Sequence, residues 1–203
     1  MSESILLLHD GHPIAWNLAG ALHRLGATPS LADWTRQGAP GTDPWDIVVV
    51  AGNAWPPGAA DGQDASSEGR NALAAVLQDP QQPLLAVGRA ACLLAARLGG
   101  QMRPSVPLRH GHPDTVRHRG RGLLAGLSDP LQIMRYDSHL PADLPEYLSS
   151  EAWTEAGETL AWRHTQRPWW GVCFHPGSLF AGPSAGLMEN LVRRGKEVLY
   201  ASP

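Results

Sequence analysis

The ten residues from Pro83 to Cys92, PLLAVGRAAC, decide how this chain is read. Leu84, Leu85, Ala86 and Val87 form a short apolar run that suits a strand buried on both faces. Gly88 follows at once. Arg89 to Leu98 then has the Ala/Leu-rich texture of a helix, closed by Gly99-Gly100. Strand, one-residue bend and helix make a nucleophile elbow, which lifts one side chain above the sheet edge beside the backbone N–H groups of the helix start. Such a bend usually carries Ser or Cys. Here it carries glycine, which has no side chain to attack with.

Upstream of the elbow, Ile5 to Leu8 and Asp46 to Val50 read as buried strands, and Pro29 to Ala32 as a short one. Ile14 to Leu25 has apolar residues at Ile14, Leu18, Ala21, Leu22 and Leu25, a helical spacing that Gly26 ends. Asn53 to Gly69 is a long Gly/Ala/Pro/Ser-rich loop, and Arg70 to Leu77 reads as a helix stopped by Asp79-Pro80. This alternation predicts a parallel sheet with helices on both faces. Sites in such sheets collect at the carboxyl ends of the strands, so the loops after Leu8, Val50 and Val87 share one edge.

Downstream the texture changes. Val106 to Val116, Leu131 to Tyr136, Tyr147 to Trp153, Thr159 to His164 and Gly171 to Phe174 are short strand candidates, with a hairpin turn over Trp153 to Glu158. The last strand runs into His175-Pro176. Gly182-Pro183-Ser184 then opens a C-terminal helix with Leu187, Leu191 and Val192 on one face.

Composition bounds the function. The 203 residues are expected to form a single domain, 1–203, with 43% hydrophobic and 17% charged residues. The net charge of −3 gives no basic field for nucleic acid. With no apolar run near about 18 residues and no signal-peptide pattern, no membrane contact is expected and a cytoplasmic location is. Two cysteines, Cys92 and Cys173, are too few for a disulfide framework. His9 and His12, and His110, His112 and His118, lack Cys or acidic companions at metal-binding spacing, so no metal and no cofactor are expected. The basic run Arg117 to Arg121 reads as a solvated face.

Five further stretches carry a family resemblance: ILLLHDGHPIAWNL at 5–18, HGHPDTVRHRGRGLLAGLSDP at 110–130, RYDSHLP at 135–141, AWTEAGETLAWRH at 152–164 and GVCFHPGSLFAGPSAGLMENL at 171–191. In this order and spacing the chain resembles the class I glutamine amidotransferases, most closely the small subunit of anthranilate synthase or aminodeoxychorismate synthase. The resemblance implies an α/β, flavodoxin-like fold: a central, mostly parallel sheet flanked by helices, with a smaller antiparallel sheet in the C-terminal half. It also implies a glutaminase site that passes ammonia to a synthase partner.

That chemistry needs a cysteine thiolate, a histidine that moves the proton, a carboxylate that orients the histidine, and backbone N–H groups for the oxyanion. The family elbow resembles G-V-C-L-G-H-Q; here those positions read Ala86-Val87-Gly88-Arg89-Ala90-Ala91-Cys92. The nucleophile position is therefore Gly88, and Cys92 stands for a glutamine that helps hold substrate. The family's H-P-E reads His175-Pro176-Gly177. Its P-G-P-G oxyanion loop reads Ala51-Gly52-Asn53-Ala54-Trp55-Pro56-Pro57, with Trp55 on the glycine that faces substrate. Asn53, Trp55, Arg89, Cys92 and Ser138 line the former pocket on this mapping.

Three functions follow from these residues. The first is an inactive glutaminase-like subunit, with Gly88, His175 and Gly177 as its degenerate site, that binds and stabilises or regulates a chorismate-using synthase-type partner, or else pairs with itself. In the resemblance, the first turn and helix and the elbow region face the partner, so His9, His12, Trp16, Asn17, Trp169 and Trp170 are the candidate interface residues. The second is a metabolite-binding module built on the remodelled pocket. The third is an enzyme of altered chemistry, in which Cys92 or Cys173 works with His175.

Overall fold

A computed structural model describes residues 3–33, 45–52 and 77–200. Nine strands form one sheet in the order β2-β1-β3-β4-β9-β8-β7-β5-β6. The strands are β1 (Ile5–His9), β2 (Ser30–Asp33), β3 (Ile47–Ala51), β4 (Leu84–Val87), β5 (Gln101–His118), β6 (Leu131–Ala142), β7 (Leu148–Trp153), β8 (Thr159–His164) and β9 (Trp169–Val172). Three helices are described: α1 (Pro13–Arg24), α2 (Arg89–Arg97) and α3 (Gly186–Arg194).

The parallel half runs through β2, β1, β3, β4 and β9. β1, β3 and β4 are wholly buried, almost entirely aliphatic runs, as a sheet covered on both faces demands. Their register brings His9, Ala51, Val87 and Val172 into one row. The residues after them, Asp10, Gly52, Gly88 and Cys173, therefore line one carboxyl edge, as the alternating pattern predicts.

The antiparallel strands are not a detached second sheet. β8 pairs with β9, β7 with β8, and the last two residues of β5 with β7, so the parallel sheet continues into them. The β5–β6 hairpin then extends outward, with register shifts between Pro104 and Arg109 and between His110 and His112. The β7–β8 turn is closed by Thr154 N–H to Glu158 O and by Gly157 N–H to Thr154 O, at the place read as a hairpin.

Two Trp side chains that the sequence offered as interface anchors belong to the core. Trp169 is 1% exposed and Trp170 0%. Their indole N–H groups donate to Gln82 O (3.0 Å) and Leu199 O (3.2 Å), which lets both rings be buried without an orphaned donor. Trp162 is likewise buried, donates to Ala91 O at 3.2 Å, and lies over Gly171, where a Cβ would collide with the indole. It ties β8 to the first turn of α2.

The run Arg117 to Arg121 is also less solvated than its composition implies. Arg121 grips the fully buried Glu151 with two hydrogen bonds, at 3.0 and 2.9 Å, and Arg163 Nε donates to the same carboxylate at 2.9 Å. His118 is buried, with Nε2 2.9 Å from Ser128 O.

Candidate functional site

β4 delivers Gly88 to the carboxyl edge, where it caps α2 at φ +68° and ψ −134°. That backbone conformation favours glycine, so the elbow is held at low cost. Gly88 N–H donates to Val172 O at 2.8 Å, which extends the β4–β9 pairing into the bend itself. α2 then packs Ala90, Ala91, Cys92, Leu93, Leu94 and Ala95 inward.

His175 follows β9 by three residues and returns to the elbow. Its ring stands directly against Gly88: a Cβ there would lie 3.2 Å from Nε2 and 3.3 Å from Nδ1, and closer still to Cε1. The ring also tilts on Tyr136, with centroids 5.4 Å apart. The side chain is 5% exposed, and among the described residues its Nδ1 has no hydrogen-bond partner. Burial first, then the neighbouring His12 and His110, push its pKa down to about 3. At neutral pH it is an uncharged imidazole, and no acid orients it among the described residues.

The residue that the resemblance maps onto the acid is Gly177. Gly177 is buried against α1, where a Cβ would meet Leu18 Cδ2 at 2.8 Å, Leu18 Cα at 2.9 Å and Leu18 N at 3.1 Å. The α1 backbone packs directly on this turn, and a carboxylate has no room between them.

The turn before α1 is built from its own side chains. Gly11 N–H donates to His9 Nδ1 (3.0 Å), His12 N–H to Asp10 Oδ1 (3.1 Å) and Ile14 N–H to His12 Nδ1 (3.3 Å). His9 is 4% exposed and tilts against Trp16 at 5.6 Å, so it is a buried support of the turn and not a surface contact. Desolvation lowers its pKa, with Asp33 and Asp10 opposing. Trp16 (58% exposed) and Asn17 do reach the surface, and His12 is half-buried.

The two thiols meet each other. Cys92 Sγ lies 3.4 Å from Cys173 Sγ, 3.4 Å from His139 O and 3.7 Å from Gly88 O. Among the described residues, neither sulfur is hydrogen-bonded to His175. Ser138 Oγ pairs with His139 Nδ1 at 3.1 Å, and Arg89 is half-buried at the helix start. Asn53 and Trp55 lie outside the described residues, so the reading of the oxyanion loop does too.

Sequence reasoning missed the charge cluster beside this edge. Arg135, 1% exposed, makes a two-pronged pair with Asp137 (2.8 and 2.7 Å) and further bonds to Asp114 (2.9 Å), Glu158 (3.0 Å) and Ser105 Oγ (2.9 Å). Its signal was the alternation in RYDSHLP, where Arg135 and Asp137 share one strand face. A separate cleft of about 500 Å³ lies between the β5–β6 and β7–β8 hairpins, lined by Arg103, Asp143, Leu148 and Glu158 among others.

Exposed apolar side chains follow His175 in sequence. Leu179 and Phe180, four and five residues further on, are 79% and 71% exposed. Val106 (82%) and Leu108 (59%) project from the register shift in β5.

With this geometry in place, comparison with known proteins is informative. The profile of glutamine amidotransferase class-I matches residues 7–192. The chain belongs to the class I glutamine amidotransferase family. Its relatives include aminodeoxychorismate synthase component 2 of Escherichia coli, 28% identical over 94% of this chain and 100% of that one. The component 2 of Klebsiella aerogenes is 30% identical with the same coverage of each. Against the aminodeoxychorismate synthase of Streptomyces griseus, identity is 39% over 58% of this chain, and the match spans only 16% of that protein. Among solved structures, a Thermoplasma acidophilum protein assigned as a GMP synthase subunit superposes with a TM-score of 0.77 at 14% identity, covering 98% of this chain and 95% of that one. A glutamine amidotransferase of Thermotoga maritima gives 0.64 at 14% identity, covering 98% and 85%. These two establish the shared fold. Among the described residues no helix is long and apolar enough to cross a membrane.

Proposed function

We propose that this chain is a glutaminase-like subunit without glutaminase activity, which docks on a chorismate-using synthase-type partner in the cytoplasm and stabilises or regulates it. The observation that carries the reading is the packing of His175 against Gly88. The elbow offers no sulfur or hydroxyl, and the imidazole fills the volume in which such a side chain would begin. Gly177 adds to it, because α1 occupies the place of the orienting acid. Loss of a nucleophile alone costs such enzymes several powers of ten in rate.

The partner half rests on two supports. Relatives matched end to end are named as second components of aminodeoxychorismate synthase. Trp16 in α1, and Leu179 and Phe180 a few residues beyond His175 in sequence, are exposed apolar groups that a docking surface would cover.

The test uses the full chain in two assays. Ammonia release from glutamine is measured directly, and co-elution is followed with the large subunit of an anthranilate or aminodeoxychorismate synthase from the same source. No ammonia together with a stable complex is the expected result. Turnover of glutamine overturns the first half, and a lasting monomer in the presence of the large subunit overturns the second.

A further inference from the structure

Beneath the elbow lies a group that the docking reading does not use. Cys92 and Cys173 are each 1% exposed, and their sulfurs are 3.4 Å apart. They are 81 positions apart in sequence and come from different elements: Cys92 from the first turn of α2, Cys173 from the residue after β9. Both are anchored. Cys92 faces Gly88 O and His139 O, and Cys173 N–H donates to Leu160 O at 2.8 Å.

We propose that Cys92 and Cys173 form a modification site, a dithiol that a two-electron oxidant of the peroxide or small-disulfide class converts to an internal disulfide. Closing the bond requires the 3.4 Å separation to shorten to about 2.05 Å.

The balance with hydrogen peroxide is simple. One sulfur, as thiolate, attacks a peroxide oxygen; the O–O bond breaks, and the departing hydroxide takes up a proton as water. The resulting sulfenic acid is attacked by the second sulfur, the S–O bond breaks, and a second water leaves. Two thiols and one peroxide give one disulfide and two waters. With a small disulfide, two successive exchanges release two small thiols instead.

The hydrogen bond with Cys92, and then burial, push the Cys173 thiol up, so the reaction is slow at neutral pH and quickens as pH rises. The bond would fasten the α2 start to the segment that carries His175, two residues beyond Cys173.

The experiment treats the reduced full-length chain with hydrogen peroxide, and separately with oxidised glutathione. The protein is then unfolded in an alkylating reagent and weighed. The expected result is loss of both alkylatable thiols with a mass decrease of about 2 Da, reversed by dithiothreitol. A peptide joining Cys92 to Cys173 should appear on digestion, and Cys92→Ala should abolish it. Two thiols still free after treatment, a gain of oxygen without the mass decrease, or only chain-to-chain dimers would overturn the proposal. This outcome is independent of whether a synthase partner binds.

Discussion

The imidazole of His175 occupies the space into which a side chain at Gly88 would grow, with Nε2 and Nδ1 3.2 and 3.3 Å from the Cβ position. The pair that a glutaminase would separate by the length of a nucleophile is here packed ring against backbone. Substitutions at either residue therefore act on stability as well as on chemistry.

Gly88→Ala should destabilise the fold by about 1–3 kcal/mol, from a side chain held at φ +68° and from displacement of the imidazole. Urea denaturation of the two proteins measures it directly. An unchanged midpoint would mean that the ring swings away freely.

Installing the missing groups should not install the reaction. Gly88→Cys with Gly177→Glu is expected to release no more ammonia from glutamine than the parent chain. The new glutamate must push Leu18 aside, and the new cysteine must displace the histidine that should serve it. A coupled ammonia assay reads the outcome, and a large gain in rate would show that the scaffold had kept its working geometry.

Acid should weaken the fold through His175. Its pKa is about 3 in the folded chain against 6.5 in an exposed imidazole, so between those values the unfolded chain holds the extra proton. Stability is complete above about pH 6.5 and falls as pH drops towards 3, by at most about 1.4 kcal/mol per pH unit. Burial lowers the pKa of His9 and His164 as well, and both act in the same sense. Denaturation midpoints at pH 7.5 and pH 5 should differ, and His175→Gln should retain only the smaller slope from the other two.

Arg135→Met should cost about 3–5 kcal/mol, because it leaves the buried Asp137 carboxylate without its two-pronged partner. Thermal unfolding measures the loss. Replacing Arg135 and Asp137 together by apolar residues should recover part of it.

At the surface the expectation reverses. Phe180→Ala removes an exposed ring and should leave stability within about 0.5 kcal/mol of the parent, whereas Trp16→Ala also uncovers the buried His9 and should cost more. Each should weaken partner binding about tenfold or more if the docking reading holds. Titration calorimetry with the large subunit separates the two effects.

The parallel half of the fold was legible because its strands are continuous apolar runs with caps and breakers at their ends. β1, β3, β4 and α2 fall within a residue or two of where the pattern puts them. β5 was harder. It runs from Gln101 to His118 through Pro104, Pro107 and Pro113, residues that ordinarily argue against a strand. They are tolerated because most of β5 pairs on one side alone, with β6. Trp169 and Trp170 misled for a different reason. Their N–H groups are satisfied by Gln82 and Leu199, far away in sequence, and no local pattern announces such partners. His9 shows the same limit, since its burial depends on how Trp16 folds back across it.

The contact between Gly177 and Leu18 has an evolutionary consequence. A single codon change that placed an acid at 177 would meet the main chain of α1, so its first effect would be damage and not benefit. On the function proposed above, a lineage returning to amide cleavage would have to lift that helix before the acid was useful. The packing works as a ratchet: it makes the present state easy to keep and hard to leave by single steps.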